Sequence, residues 1–365
     1  MGGRSVDQPA VLGAWVTLLS EDTEPQTGGA LAGQLRWLRA NRLLGVVDLL
    51  VERGVVLPAV RNLAGPLIER HGLVPARQMA AESEVMGSLA SGGVRALALK
   101  GLLLSHTVYP EPNQRLRVDL DVLVSPEEVE PARKILKETG YRPMFSVPGG
   151  TPLEQEAWVR QAHGFGHMID LHWRLRNHPC LRERFDFEPQ WQESIALPSL
   201  AAGARGQGRV HALINASMHW FDSLYADDYP LVWLLDKDLL WRAMSDAERQ
   251  QTEHMASEHG LAGLLAESLR QARGHFSTPV DDDTIERLAH AGQGRRPTRL
   301  LAVRHSRLRA HLFALRCEPG LRGKAWRLKE SLFPPASHLR ERFPDGSRFG
   351  VAGLWGRRIG KRLKG

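Results

Sequence analysis

The chain has 365 residues, 42% of them hydrophobic and 24% charged, with a formal net charge of +7, enough apolar content to bury a sizeable core in about two or three units. Its two cysteines, Cys180 and Cys317, belong to no CxxC pair, which argues against a disulfide framework and a cysteine-bound zinc and makes a reducing cytosol the expected compartment. The charge is uneven: residues 295–365 hold 19 Lys and Arg against 4 acids, a balance of +15, which leaves −8 for residues 1–294.

Met1 to Pro25 carries only Arg4 before an interrupted apolar run at Val11 to Leu19, a poor secretory signal and too short to span a bilayer. No later segment reaches about 18 uninterrupted apolar residues, so no transmembrane segment is expected. Leu31, Leu35, Leu38, Leu43, Val47 and Leu50 recur at helical spacing, which predicts helix over Leu31 to Arg53 with Gly54 as its stop. Val56 to Ser91 continues as helix, broken or kinked at Pro58, at Gly65-Pro66 and across Gly72 to Pro75. Gly92-Gly93 then turns the chain into a short buried strand, Val94 to Leu99.

After Lys100-Gly101 come a short apolar helix (Leu102 to Val108), a Pro-rich loop (Tyr109 to Gln114) and the most informative stretch of the chain, Arg117-Val118-Asp119-Leu120-Asp121-Val122-Leu123-Val124. On a strand, side chains alternate, so the apolar residues share one face while Asp119 and Asp121 share the other, originating about 6.6 Å apart. Two carboxylates so placed can converge on one divalent cation and repel each other without it. A solvated edge strand is the alternative explanation. Ser125-Pro126-Glu127-Glu128 predicts a helix start, Gly140 its stop, Tyr141 to Val147 a strand, and His167 to Trp173 a further strand after Gly164 and Gly166.

These elements make a small mixed sheet over about residues 92–175. The expected organisation is an N-terminal helical region (1–91), an α/β core (92–175), a linker and loop (176–206), a helical domain (207–294) and a basic C-terminal region (295–365). The helical domain reads as Val210 to Phe221, Pro230 to Met244, Asp246 to His259, Leu261 to Arg273 and Asp282 to Ala291, with no fixed repeat.

Several polar residues admit more than one role. His167 and His172 are five apart and point to opposite faces of a strand, whereas Asp170 and His172 share one, which argues against a zinc site from this strand alone. His172 therefore orients Asp170, contacts substrate, or is a structural histidine. Arg117 steadies a phosphate or an aspartate, or is an ordinary surface residue; Arg115 reads as a loop surface charge. His219, Asp222, Asp227, Asp228, Asp236 and Asp238 cluster in sequence, and Asp236, inside an apolar helix, requires a partner. There is no GxxxxGK[ST], GxSxG, HExxH or GxGxxG.

Taken together, Leu99-Lys100-Gly101, the Asp119/Asp121 strand, Gly140-Tyr141 and Ile169-Asp170-Leu171-His172-Trp173 resemble the uncharacterised nucleotidyltransferase family within the polymerase-beta-like superfamily. The resemblance covers residues 92–175, and extends more loosely to His219-Trp220, to Trp233 through Asp236, and to Leu332-Phe333-Pro334. It implies an α/β (α+β) fold: a small mixed-sheet nucleotidyltransferase core with N-terminal helices and a C-terminal helical domain. It also implies a metal-binding pair, Asp119 and Asp121, with Asp170 as the third acid. These three would be both the catalytic residues and the metal ligands, with His172 in support.

Phosphoryl and nucleotidyl transfer needs charge neutralised at phosphate and an activated attacking oxygen, and hard cations on oxygen ligands supply both. Mg²⁺ suits three aspartates, with Mn²⁺ as the alternative. Lys100, Gly101, Ser105 and Arg117 are the candidate nucleotide-binding residues. In the superfamily a Gly-Ser or Gly-Gly pair stands where this chain has Lys-Gly, and Gly101 lies 18 residues before Asp119, a longer spacing than most members show.

The expected activity is Mg-dependent transfer of a nucleoside monophosphate from an NTP, such as ATP, to an acceptor (sugar, peptide, protein or RNA) with release of pyrophosphate. The competing reading is a catalytically inactive module of the same fold, binding a polyanion (nucleic acid, polysaccharide or an anionic membrane) through residues 295–365. A phosphotransferase use of the same metal site is a third. The expected location is cytoplasmic, with peripheral membrane association through the basic end as a variant.

Overall fold

Seven strands form one mixed sheet among the described residues: β1 (Ala96–Ala98), β2 (Leu120–Val124), β3 (Arg142–Pro143), β4 (Gln155–Ala162), β5 (Phe165–His172), β6 (Ile195–Ala196) and β7 (Arg205–Gly206). Their order is β3-β4-β5-β2-β1-β7-β6, so β2 is central, antiparallel to β1 and parallel to β5. All five residues of β2 are buried, Asp121 included, which rules out a solvated edge strand for this segment. The computed structural model describes residues 30–71, 76–144, 154–162, 165–223, 230–303 and 306–332, with positions 353 and 356.

The expectations for Met1 to Pro25, the Gly72 to Pro75 break, the end of the Tyr141 strand, Gly164, Asp227, Asp228, Phe333-Pro334 and the final basic residues lie outside the described residues.

β2 combines β-branched and leucine side chains, as a strand covered on both faces requires. β4 was not expected from sequence, because Gln155, Glu156, Arg160 and Gln161 mask its alternation. It pairs with β5 over eight residues, from Gln155 opposite His172 to Ala162 opposite Phe165. β6 and β7 lie in the stretch read as linker; β7 adds to the sheet parallel to β1.

The helices up to the site are α1 (Ala30–Ala40), α2 (Val47–Glu52), α3 (Val60–His71), α4 (Ala76–Ser91), α5 (Lys100–Ser105) and α6 (Val129–Glu138). They are followed by α7 (Phe187–Gln192), α8 (Arg209–Ser223), α9 (Val232–Ala243), α10 (Asp246–Glu258), α11 (Ala262–Phe276), α12 (Asp282–Ala291) and α13 (Arg296–Val303). The single helix expected over Leu31 to Arg53 is divided, because the chain leaves α1 at Arg42, where φ is +58, and resumes at α2. Gly54, with φ +68, ends the second piece as predicted. In α6, Val129, Ala132 and Leu136 recur at helical spacing and are buried; Gly140, with φ +85, closes it. Ser125 takes the extended backbone of an N-cap, but its hydroxyl makes no capping bond.

The chain divides into two compact units, one comprising residues 1–177 and 181–302 and the other 178–180 and 303–365. The first holds the sheet and the helices around it. The second contains α14 (Arg307–Cys317) and α15 (Gly320–Leu332), joined where the buried Glu318 accepts a hydrogen bond from Arg327 at 2.7 Å. No described helix is long and apolar enough to cross a membrane.

Candidate active site

The parallel pairing of β2 with β5 sets Asp121 opposite Asp170 and Leu123 opposite His172. Cross-strand partners share a face, so Asp121, Asp170 and His172 project to the same side, with one ligand atom from each lying within 4.8 Å of the others. Asp119 precedes the first residue of β2, one bend outside the ladder. It is therefore not in this compact cluster, although its charge raises Asp170 and it is itself raised by Asp121. The cluster is two carboxylates and one imidazole, where the sequence pointed to three carboxylates.

Asp121 is the hub. Its Oδ1 accepts from Lys100 Nζ at 2.5 Å and from His172 Nε2 at 2.9 Å. Burial alone would raise its pKa, but the Lys100 ammonium and the His172 hydrogen bond hold it far below the usual carboxylate range. Asp119 is pushed up to about 6, by burial first and then by Asp121, against the pull of Lys100, Arg42 and Arg115. Asp170 is pushed up to about 7, by burial and then by Asp121 and Asp119, with Lys100 opposing. His172 is lowered to about 4 by burial, despite Asp121, and is neutral near pH 7. Asp119 and Asp170 are thus raised by burial and by neighbouring carboxylates, while Lys100 bonds Asp121 directly. Two carboxylates with an imidazole nitrogen are hard and borderline donors, a set that fits a divalent cation.

A cavity of about 250 Å³ is lined by Asp119 and Asp121, whereas Asp170 and His172 are not among its lining residues. Lys100, Arg42, Arg115 and Arg117 give it a basic side, while His219 and Trp233, from α8 and α9, give it an aromatic one. The His219 and Trp233 ring centroids are 4.6 Å apart, and Arg176 donates to His219 Nδ1 at 3.1 Å. Burial lowers the His219 imidazole well below its ordinary value.

Two of the basic residues are built into the wall. Arg115, expected at the surface, is buried, and its Nε and Nη2 donate to the two oxygens of Asp236 at 2.8 and 2.7 Å. Tyr109 adds a third bond to Asp236 at 2.7 Å. The partner that Asp236 requires is thus Arg115. Arg117 is neither exposed nor bonded to an aspartate: its Nε and Nη2 donate to Glu82 at 2.8 and 2.5 Å, and its Nη1 to the carbonyls of Pro112 and Arg115. Neither of these pairs is visible in local sequence, since the partners are 121 and 35 residues apart.

The other candidates sort plainly. Lys100 lines the cavity and opens the six-residue α5 with φ +46. Gly101 also lines it, and a Cβ there would stand 3.3 Å from Arg117 Cβ, so the absent side chain lets the wall close against Arg117. Ser105 is fully buried, donates to the Leu102 carbonyl at 2.7 Å, and is not among the residues lining the cavity. His167 bonds to Tyr141 at 2.6 Å, and His172 turns to Asp121, where sequence suggested Asp170. Sequence reasoning missed Arg42 and Glu82 altogether; nothing in a helical stretch distinguishes them.

A family model described as an uncharacterised nucleotidyltransferase matches residues 34–277, a span that takes in the N-terminal helices and the helices after the sheet as well as the sheet itself. No curated protein matches the chain.

Proposed function

Because the chain belongs to this uncharacterised nucleotidyltransferase family, we propose that it transfers a nucleoside monophosphate from an NTP to an acceptor hydroxyl, using Mg²⁺ or Mn²⁺. The observation that carries this reading is the convergence of Asp121, Asp170 and His172, of which Asp121 lines a cavity together with Lys100 and Asp119.

Asp121 and Asp170 would hold the cation, with Asp119 as the further carboxylate at its edge and His172 fixing Asp121 through its Nε2. Bound there, a divalent cation would neutralise charge on the phosphates and favour ionisation of an attacking oxygen. Lys100 would turn from Asp121 toward the phosphates as that cation takes over the carboxylate's charge. In the transfer, the acceptor oxygen bonds to the α-phosphorus and the α–β bridging bond breaks, so that pyrophosphate leaves. Asp170 accepts the hydroxyl proton, the role for which its partly desolvated carboxyl is suited.

The test is a panel of α-labelled NTPs with Mg²⁺ or Mn²⁺, followed by pyrophosphate release and transfer of label to sugar, peptide, protein and RNA acceptors. Release and label transfer that both vanish in Asp121→Asn are the expected result. Equal transfer in that variant would remove the carboxylate cluster from the chemistry.

A further inference from the structure

Five large hydrophobic side chains are exposed among the described residues, and four of them stand on α14 and α15: Leu308 (68%), Leu312 (50%), Leu321 (84%) and Leu328 (46%). A single exposed leucine is ordinary, but four gathered on two consecutive helices mark a surface with a use. Leu308 and Leu312 are four residues apart and Leu321 and Leu328 seven, so each pair runs along one side of its helix. Packing within the unit does not call on them; the buried position of α14 is Ala314.

The same stretch, residues 307–332, holds 7 Lys and Arg against 2 acids. One of those acids, Glu318, is buried and bonded to Arg327. Arg309, Arg316, Arg322, Lys324 and Lys329 are exposed, so cations and leucines share the solvent side of both helices. That combination suits a phase that is anionic at its boundary and apolar just beneath it. A nucleic acid would answer the cations but gain nothing from the leucines, and a second copy of the chain would set like charge against like. Neither helix is long and apolar enough to cross a bilayer, so a membrane would meet them from one side.

We propose that α14 and α15 form a peripheral docking surface for an anionic lipid bilayer. Leu308, Leu312, Leu321 and Leu328 enter the headgroup boundary, and the five exposed cations meet lipid phosphates, their long stems lying against the apolar layer. The proposal does not depend on the nucleotidyl-transfer reading, since none of these residues lines the cavity.

The test is cosedimentation of the full chain with two kinds of vesicle, phosphatidylcholine alone and phosphatidylcholine mixed equally with phosphatidylglycerol. The wild type should partition onto the mixed vesicles about tenfold or more above its partition onto phosphatidylcholine, and less as salt rises. Leu308→Gln/Leu312→Gln and Leu321→Gln/Leu328→Gln should each weaken that partition about tenfold or more. Arg309→Gln/Arg316→Gln should weaken it about tenfold on the mixed vesicles and leave partition onto phosphatidylcholine unchanged. All three variants should melt as the wild type does, because the replaced side chains are exposed. Wild-type partition in both leucine variants would overturn the proposal, as would equal binding of the wild type to the two vesicles or to neither. Binding of single-stranded RNA without binding of vesicles would assign the charge to a nucleic acid and overturn it likewise.

Discussion

Asp121 and Asp170 are direct register partners on adjacent parallel strands, yet their environments push them in opposite directions: Asp121 is held down by Lys100 and His172, while Asp170 is raised to about 7. Register partners stand side by side on one face, and the asymmetry comes from Lys100 and His172, which both bond Asp121.

Three asparagine substitutions should therefore separate. Asp170→Asn and Asp119→Asn relieve like-charge repulsion and should stabilise the metal-free protein by ~1 kcal/mol at pH 8, where both carboxyls are otherwise ionised. Asp121→Asn removes the partner of Lys100 and should destabilise it by about 1–3 kcal/mol. Urea unfolding without divalent ions reads the signs. Mn²⁺ binding, followed by electron paramagnetic resonance, should weaken about tenfold or more in Asp121→Asn and Asp170→Asn. The same sign of stability change in all three variants would contradict the charge assignment.

Arg117 is a buried structural cation, so its removal should act on the fold first. Arg117→Met leaves Glu82 uncompensated and should cost about 3–5 kcal/mol, most of which Arg117→Met/Glu82→Leu should recover. Chemical denaturation of the single and double variants checks this. If the double variant is stable but has lost NTP-induced thermal stabilisation, Arg117 has a direct phosphate role as well.

Lys237 gives the chain a pH signature. It is fully buried, donates to the Trp233 carbonyl at 2.8 Å, and lies 5.3 Å from the centre of the Trp220 ring. Burial, opposed by Asp236, lowers its pKa to about 7 from 10.5. Between those values the unfolded chain holds a proton that the folded chain has released, so stability rises with pH across that window; below about 7 the penalty for burying the charge is complete. Lys237→Met should be more stable than the wild type by on the order of a few kcal/mol at about pH 6, and the gap should close toward pH 10. Urea unfolding of both proteins across this range reads it. A gap that does not change with pH would mean that Lys237 keeps its proton.

The loop carrying Arg115 to Asp119 rests on the N-terminal helices through Gly45, where a Cβ would fall 2.2 Å from the Gln114 carbonyl oxygen. Gly45→Ala must push that loop away. It should lower stability by about 1–3 kcal/mol and abolish thermal stabilisation by Mg-NTP, measured by scanning fluorimetry with and without ligand. Retained stabilisation by Mg-NTP would mean that the cavity tolerates the displacement.

The Asp121, Asp170 and His172 cluster is more legible in the sequence than its setting. Alternation along β2 marks Asp121 and its apolar neighbours, and alternation along β5 places Asp170 with His172 and apart from His167, as found. Asp119 follows the same alternation by number, but the ladder begins one residue later, and a bend is not encoded in polarity. Arg115 and Arg117 read as loop cations because their carboxylates lie on other helices, and a bidentate pair across 121 residues leaves no local trace. The break after α1 was hidden because an arginine occupies the position where a glycine would have announced it. The basic residues beyond Leu332 lie almost wholly outside the described part of the chain.

The bonds from Asn41 to Leu231 and from Arg53 to Asp238 join positions 190 and 185 residues apart. During synthesis the sheet and its carboxylates leave the ribosome well before α9 does. At about 5–20 residues per second, the stretch between Asn41 and Leu231 takes about 10–40 s to make. Until α9 is made, Arg42 has no helix to be pinned to, and Arg115, once made, has no Asp236. A half-made chain thus has the acids but not the enclosure, which waits for the arrival of α9.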